Sequence, residues 1–154
     1  MQNNFLDNSL KSLNLKNSPI FDKEEHAKYV KDWREQYVGQ AVAVLRPVNT
    51  KEVSSILKFA HKNKIDVVPQ GGNTSLCGAA TPDQTGKSII ISLEKMNNVR
   101  AFNKEAQTIT VDSGIILSKI HEIVEEQNLF FPLSLGAQGS CMIGGNLSTN
   151  AGGV

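Results

Sequence analysis

Nine of the twelve glycines in this chain lie in two short stretches, and this clustering restricts the folds that the chain can adopt. The first stretch is "QGGNTSLCG" at residues 70–78, and the second is "PLSLGAQGSCMIGGNLSTNAGG" at residues 132–153. Glycine has no Cβ, so it tolerates positive φ and lets other groups approach the backbone closely. Asn, Ser and Thr are mixed with the glycines, and buried polar groups need partners. We therefore predict that the two stretches are ligand-binding loops rather than simple turns.

The composition excludes several kinds of protein. At 154 residues the chain has the size of one domain, which buries about 70% of the surface of its unfolded chain. The net charge is +1, with lysines and arginines scattered along the sequence, so nothing indicates nucleic-acid binding. No apolar run approaches the roughly 20 residues of a transmembrane helix, and the start has no signal-peptide pattern. We expect a cytoplasmic protein, with peripheral membrane association left open.

Apolar runs and helical periodicity predict alternating strands and helices. Strands are expected in "AVAVLRP", "IDVVP", "SIIISL" and "QTITVDSG", and helices in "NTKEVSSILKFAHKN" and "IILSKIHEIVEEQN". Asn49 is the expected N-cap of the first helix, with Glu52 completing a capping box, and Asn128 is expected to end the second. A further helix is predicted over residues 22–36, after a loose arm or short helix at residues 1–20. This order favours one α+β domain, or two small α/β lobes that meet at the glycine loops.

The glycine stretches have the features of a phosphate site. Successive N–H groups in such turns can converge on an anion and form a nest. In "GGNTS" the amide of Asn73 and the hydroxyl groups of Thr74 and Ser75 add side-chain donors. Neither stretch has the lysine of a P-loop or the G-x-G-x-x-G spacing of a Rossmann fingerprint. The residues alone therefore predict a phosphate-bearing cofactor held by two loops, and they do not name it.

Structural roles are expected for the other reactive side chains. "HEIVEE" has Glu125 where H-E-x-x-H has its second histidine, so His121 is expected on a helix face, and the three separated histidines indicate no metal site. Cys77 and Cys141 have no C-x-x-C spacing and are expected to be two buried free thiols. Asp112 is expected to be structural rather than a cofactor contact.

The two stretches and their surroundings resemble a known family of enzymes. The segments "DWREQYVGQAVAVLRPVNTKEVSSILKFAHKN", "VVPQGGNTSLCG", "SLEKMNNVRAF" and "PLSLGAQGSCMIGGNLSTNAGG" are similar to the FAD-linked oxidases of the vanillyl-alcohol oxidase and p-cresol methylhydroxylase type. Within that family the sequence resembles the branch of D-2-hydroxyglutarate dehydrogenase and FAD-linked D-lactate dehydrogenase. The resemblance implies an α+β fold, a two-lobed FAD-binding domain of the p-cresol methylhydroxylase type with an incomplete second lobe.

The resemblance also implies which residues hold FAD. The pyrophosphate would be wrapped by Gln70, Gly71, Gly72, Asn73, Thr74, Ser75 and Leu76. The part between pyrophosphate and flavin would be lined by Pro132, Leu133, Gly136, Gly139 and Ser140. The isoalloxazine and ribityl groups would be approached by Gly144, Gly145, Asn146, Thr149 and Asn150. Some relatives attach the flavin to a histidine after the first Gly-Gly; Asn73 stands there in this chain, so noncovalent FAD is expected.

In that family the FAD domain continues past "STNAGG", and a C-terminal domain carries the catalytic and metal-binding residues. The resemblance thus implies the N-terminal part of an oxidoreductase, without catalytic or metal-binding residues of its own. Residues 1–38 would be an arm and helix, and residues 39–154 an FAD-binding domain truncated at its C-terminal end.

The implied reaction is oxidation of a D-2-hydroxy acid, of the D-2-hydroxyglutarate or D-lactate type, with hydride passing to flavin N5. The substrate would bind through the missing domain, and an acceptor protein or quinone is left open. Two alternatives remain. One is an inactive truncated fragment or split-enzyme half that binds FAD weakly, and the other is a relative of the flavin-dependent peptidoglycan-precursor reductase.

Overall fold

The structure, a computed structural model, describes residues 2–153. These residues form two sheets, the first with a hydrophobic core on each face and the second with a separate core of its own. In chain order the elements are α1 (Gln2–Lys11), α2 (Lys23–His26), β1 (Ala43–Leu45), α3 (Thr50–Asn63), β2 (Val67–Gln70), β3 (Ile89–Ser92), β4 (Val99–Asn103), β5 (Thr108–Val111), α4 (Leu117–Glu125) and α5 (Ile143–Ser148).

The first sheet is parallel, with the strand order β1-β3-β2. Ile89 and Ile91 of β3 point to a core that also contains Leu10 of α1 and Ile56 of α3. Ile90, between them, points to the opposite core. Parallel strands covered on both faces are apolar throughout rather than alternating, which is why "SIIISL" is a continuous apolar run.

The helix α3 begins where the sequence predicts. The Asn49 side chain accepts a hydrogen bond from the N–H of Glu52 at 2.9 Å. The Glu52 carboxylate accepts from the N–H groups of Val48 at 3.0 Å and Lys16 at 3.2 Å, rather than from that of Asn49. Asn49 is therefore confirmed as the N-cap, and Glu52 satisfies neighbouring donors in place of the expected capping box. The helix ends at Lys64, which has a left-handed φ of 55°.

The second sheet is the antiparallel pair β4-β5, and α4 packs on it. Ile120 and Val124 of α4 form its core with Ile115 and with Ile143 of α5. The chain leaves α4 through Asn128, whose φ of 57° confirms the predicted stop.

The helix predicted over residues 22–36 is wrong beyond its first turn. Only α2, Lys23–His26, is a helix, and an antiparallel bridge then joins Lys31 to Val38. The Asp32 carboxylate is buried and accepts hydrogen bonds from the N–H groups of Tyr37 at 2.7 Å and Arg34 at 3.2 Å. Such local bonds from an Asp side chain compete with helix formation. We call residues 29–38 the bridge loop.

The N-terminal residues pack on the first sheet. Leu10 of α1 is fully buried in the core that contains β1 and α3, and Ile20 pairs with Val44 of β1. The division into residues 1–38 and 39–154 stays a prediction. Among residues 2–153, no helix combines the length and the apolar character needed to cross a bilayer.

Candidate functional site

The two glycine stretches, residues 70–78 and residues 132–153, are in direct contact. A Cβ on Gly72 would overlap the carbonyl oxygen of Ser140, and a Cβ on Gly71 would lie 3.4 Å from that of Met142. The same position on Gly71 is 3.9 Å from the nitrogen of Gly145. Gly72 therefore allows an approach of two backbones that any side chain would prevent.

The first stretch presents a row of free backbone donors. Within residues 2–153, none of the six successive N–H groups from Gly71 to Leu76 has a hydrogen-bond acceptor. The N–H of Gly145, which lies beside Gly71, has no acceptor there either. Unpaired backbone donors that are concentrated at one place are suited to bind an anion.

Two side chains of the first stretch bind the bridge loop. The buried Gln70 amide donates to the carbonyl oxygens of Tyr29 at 2.8 Å and Ala80 at 2.7 Å, which uses both of its hydrogens. The Asn73 amide donates to the carbonyl oxygen of Lys31 at 2.7 Å. Asn73 has a φ of 54°, in the left-handed region that Asn tolerates better than most residues.

The rest of the first stretch is more open. The Ser75 hydroxyl lies 3.2 Å from the Cys77 sulfur and accepts the N–H of Cys77 at 3.3 Å. Thr74 is half-buried, and Leu76 is exposed. The expectation that both cysteines are buried is wrong for Cys77, which is exposed together with its neighbours Leu76 and Ala79. Its hydrogen bond with Ser75 is the main reason why the pKa of Cys77 is lowered.

The polar side chains of the second stretch bond mainly to their own segment. The Ser140 hydroxyl donates to the carbonyl of Ala137 at 3.3 Å, and the Thr149 hydroxyl donates to that of Gly145 at 2.9 Å. The buried Asn146 amide lies 3.4 Å from the sulfur of Cys141, which is buried as expected.

The remaining predicted positions of the second stretch differ in how closely they are packed. Gly136, Gly139 and Gly145 have open space where a Cβ would lie. Pro132 is exposed, and the next carbonyl, that of Leu133, accepts the Nε2–H of His121. The remaining predicted residues are Gly144, whose N–H donates to Ser113, and Asn150, with a φ of 50°.

Asp112 is a structural residue of the second sheet. Its carboxylate accepts hydrogen bonds from the N–H and amide of Asn98, at 3.1 and 2.9 Å, and from Arg100 at 2.6 Å. Burial, the largest single effect, raises the pKa of Asp112, but these bonds together outweigh it, so that the pKa lies below its ordinary value. Its neighbour Ser113 holds the N–H of Gly144 at 2.8 Å, which ties this sheet to the second stretch.

Two of the three histidines, His26 and His121, have side-chain partners in the described part of the chain. His26 lies 2.9 Å from the carbonyl oxygen of Ile20, and His121 lies 2.8 Å from that of Leu133. His121 thus contacts the second stretch from α4, a role that the helix-face prediction did not include. Among residues 2–153, no group of three or more His, Cys, Asp or Glu side chains is placed to hold a metal ion.

Comparison with known proteins assigns this arrangement to a family. Residues 41–154 match the family described as "FAD binding domain", and this match covers both glycine stretches. The chain belongs to this FAD-binding family. The donor set fits FAD, since the free N–H row can hold the diphosphate and the contact at Gly72 brings a second loop beside it.

Curated relatives of the chain are dehydrogenases and a transhydrogenase. It is 40% identical over 131 residues to D-2-hydroxyglutarate–pyruvate transhydrogenase DLD3 of Saccharomyces cerevisiae, covering 85% of this chain and 26% of that protein. It is 41% identical over 135 residues to the mitochondrial D-2-hydroxyglutarate dehydrogenase of Bos taurus, covering 88% and 24%. The chain therefore spans about a quarter of the length of these relatives.

Solved structures confirm the predicted fold of the p-cresol methylhydroxylase type. Alkyldihydroxyacetonephosphate synthase superposes with a TM-score of 0.84 at 20% identity, over 95% of this chain and 29% of that one. The 6-hydroxy-D-nicotine oxidase of Arthrobacter nicotinovorans gives a TM-score of 0.64 at 16% identity, over 74% and 24%.

Proposed function

We propose that this protein is the FAD-binding part of a flavin-dependent dehydrogenase that oxidises a D-2-hydroxy acid. The row of free N–H groups from Gly71 to Leu76 is the observation that carries the proposal, because it offers a diphosphate several donors in one place. Relatives named D-2-hydroxyglutarate dehydrogenase, at about 40% identity, support the substrate class.

The proposed roles of the first stretch follow from its hydrogen bonds. The six N–H groups from Gly71 to Leu76 would bind the diphosphate, and the hydroxyl groups of Thr74 and Ser75 would be further donors. Hydrogen bonds to a charged group contribute about 1.5–3 kcal/mol each. Gln70 would support the loop rather than donate to FAD, because both hydrogens of its amide are already bound to carbonyl groups.

The second stretch would hold the rest of the cofactor. We propose that it follows FAD from the diphosphate to the flavin, using residues that lie in the stretch contacting Gly71 and Gly72. These residues are Pro132, Leu133, Gly136, Gly139 and Ser140, followed by Gly144, Gly145, Asn146, Thr149 and Asn150. The open space at Gly136, Gly139 and Gly145 supports this, since a flat ring needs an unobstructed backbone.

When bound, FAD supplies the hydride acceptor of the reaction, flavin N5. The residues of this chain would bind and orient the cofactor, and we assign none of them as catalytic acid or base. The substrate and any acceptor protein or quinone would bind parts of a longer protein of the size of the relatives. Noncovalent attachment is proposed because Asn73 has no imidazole nitrogen to bond to flavin. The cytoplasmic location stays a prediction.

Titration of the purified chain with FAD, followed by flavin fluorescence, tests the cofactor proposal. Because the diphosphate carries the affinity, we expect ADP to compete with FAD and FMN to bind much more weakly. Riboflavin, which has no phosphate, serves as the matched control and should not compete. Equal affinity for FAD and riboflavin would contradict a site built on the N–H row.

The reaction is tested with a protein of the relatives' full length that contains this segment. We expect anaerobic D-2-hydroxyglutarate or D-lactate to bleach the flavin absorbance, while the L-enantiomers serve as controls. Bleaching by reduced nicotinamide without any hydroxy acid would instead favour the reductase alternative.

A further inference from the structure

The bridge loop, residues 29–38, is held by hydrogen bonds between its own residues. The Asp32 carboxylate binds the N–H groups of Tyr37 and Arg34, and the backbones of Lys31 and Val38 pair. The hydrogen bond from Tyr37 is the main reason why the pKa of Asp32 is lowered. The bridge loop is therefore a defined support rather than a loose connection.

Three contacts join this support to the first glycine stretch. Gln70 donates to the carbonyl of Tyr29, and Asn73 donates to that of Lys31. At the far end, the ring of Tyr37 lies so close to Gly78 that a Cβ there would be 2.6 Å from it. The contacts thus occur at both ends and near the middle of the stretch that carries the free N–H groups.

Asn73 is the contact that lies inside the row of free N–H groups. Its own N–H is one of the six without an acceptor, and its φ of 54° is a conformation that most side chains avoid. Its amide binds the Lys31 carbonyl from the bridge loop, 42 positions away in the sequence. Loss of this bond would leave the middle of the row without its hydrogen bond to the bridge loop.

We propose that Asn73 is a positioning residue: by binding the Lys31 carbonyl, it fixes the first glycine stretch with its N–H groups free for the FAD diphosphate. This inference rests on the proposed function and adds to it the bridge loop, which supplies no donor to the row itself. Asn73 acts here through the Lys31 carbonyl, and its side chain need not touch the cofactor.

The test compares Asn73→Asp with Asn17→Asp. Both side chains are partly buried amides that donate to a distant backbone carbonyl, Asn17 to that of Arg46 at 2.9 Å. Each variant replaces a donor by a carboxylate of the same shape. We expect Asn73→Asp to weaken FAD binding by more than about 10-fold, because it loses one hydrogen bond of about 1.4 kcal/mol and also places a negative charge beside the diphosphate. Asn17→Asp should change it less than about 2-fold, although both variants lower stability towards urea.

A second variant separates the hydrogen bond from the backbone conformation. Asn73→Gly keeps positive φ accessible without strain but removes the amide. Because glycine adds no charge, we expect it to weaken FAD binding about 10-fold through the lost hydrogen bond alone, and to reduce the visible circular dichroism of the bound flavin. Wild-type affinity in Asn73→Gly, or an equal loss of affinity in the Asn17 and Asn73 variants, would overturn the proposal.

Hydrogen exchange without FAD distinguishes this inference from the proposed function. We expect Asn73→Asp to speed amide exchange in the bridge loop, whereas Asn17→Asp should not, and unchanged exchange would overturn the link. If the wild-type protein fails to bind FAD, the proposed function and the positioning role are both wrong. The exchange result could still confirm that Asn73 holds the bridge loop.

Discussion

The two glycine stretches contact each other, but their polar side chains bind different parts of the chain. In the first, residues 70–78, the side chains of Gln70 and Asn73 bind distant carbonyl groups while six successive N–H groups lack acceptors within residues 2–153. In the second, residues 132–153, Ser148 and Thr149 donate to carbonyl groups one helical turn back. Similar compositions therefore give one loop whose amide side chains bind distant segments and one whose hydroxyl groups bind their own helix.

The largest expected effect comes from Gly72→Ala, which breaks the contact between the stretches. Its Cβ would overlap the Ser140 carbonyl, so one backbone must move. We expect the free energy of unfolding to fall by about 3 kcal/mol, at the upper end of overpacking costs, and FAD binding to be lost. Urea unfolding and FAD titration measure the two effects.

Gly145→Ala is the matched control in the second stretch. A Cβ there meets nothing within 4 Å, and the residue lies in α5. Alanine should leave stability unchanged or raise it by up to about 1 kcal/mol through helix propensity. Equal destabilisation by both substitutions would show that the contact is not specific to Gly72.

The next effect concerns Asp112, beside the residue that holds Gly144. Its folded pKa is lowered, so its contribution to stability is present above its unfolded pKa, near 3.9, and is lost as pH falls through the folded value. We expect Asp112→Asn to lower the free energy of unfolding by about 2 kcal/mol at pH 7. The difference from wild type should shrink below about pH 4.

Urea unfolding at pH 7, 5 and 3 measures this dependence. Glu105→Gln, an exposed carboxylate between β4 and β5, is the control and should change stability by less than about 0.5 kcal/mol. A difference for Asp112→Asn that grows in acid would contradict the direction of its pKa shift.

The smallest expected effect is on the rate of thiol labelling, which differs between the cysteines of the two stretches. Cys77 is exposed and Cys141 is buried, so a thiol reagent should label one cysteine quickly in the native chain and both in urea. The Ser75 hydroxyl lowers the pKa of Cys77, so Ser75→Ala should slow its labelling a few-fold at pH 7. Ser55→Ala, an exposed hydroxyl on α3, is the control. Rapid labelling of Cys141 in the folded chain would contradict its burial.

Elements with strong periodicity could be predicted from the sequence, and elements fixed by single buried contacts could not. The strands β1, β2, β3 and β5 and the helices α3 and α4 lie where apolar runs place them. The helix over residues 22–36 failed because the buried Asp32 binds its own loop. The strand β4 is mostly exposed, and α5 contains two glycines, so neither gives a clear pattern.

The site shows the same limit. Composition identified both glycine stretches as a pair, and the structure brings them into contact. It could not distinguish donors that are free from donors that are used, because Asn73 and Gln70 bind carbonyl groups 42 and 41 positions away. The bridge loop has no sequence signal of its own beyond an Asp in a charged segment.

The position of β3 has a consequence for how the protein is made. β3 is the last of its three strands to leave the ribosome, yet it lies between the other two, which share no hydrogen bonds. The parallel sheet cannot begin to assemble until Ser92 has been synthesised. Until then, two apolar strands have unpaired edges, and such edges favour aggregation. The nascent chain should therefore need chaperone protection most while residues 67–92 emerge.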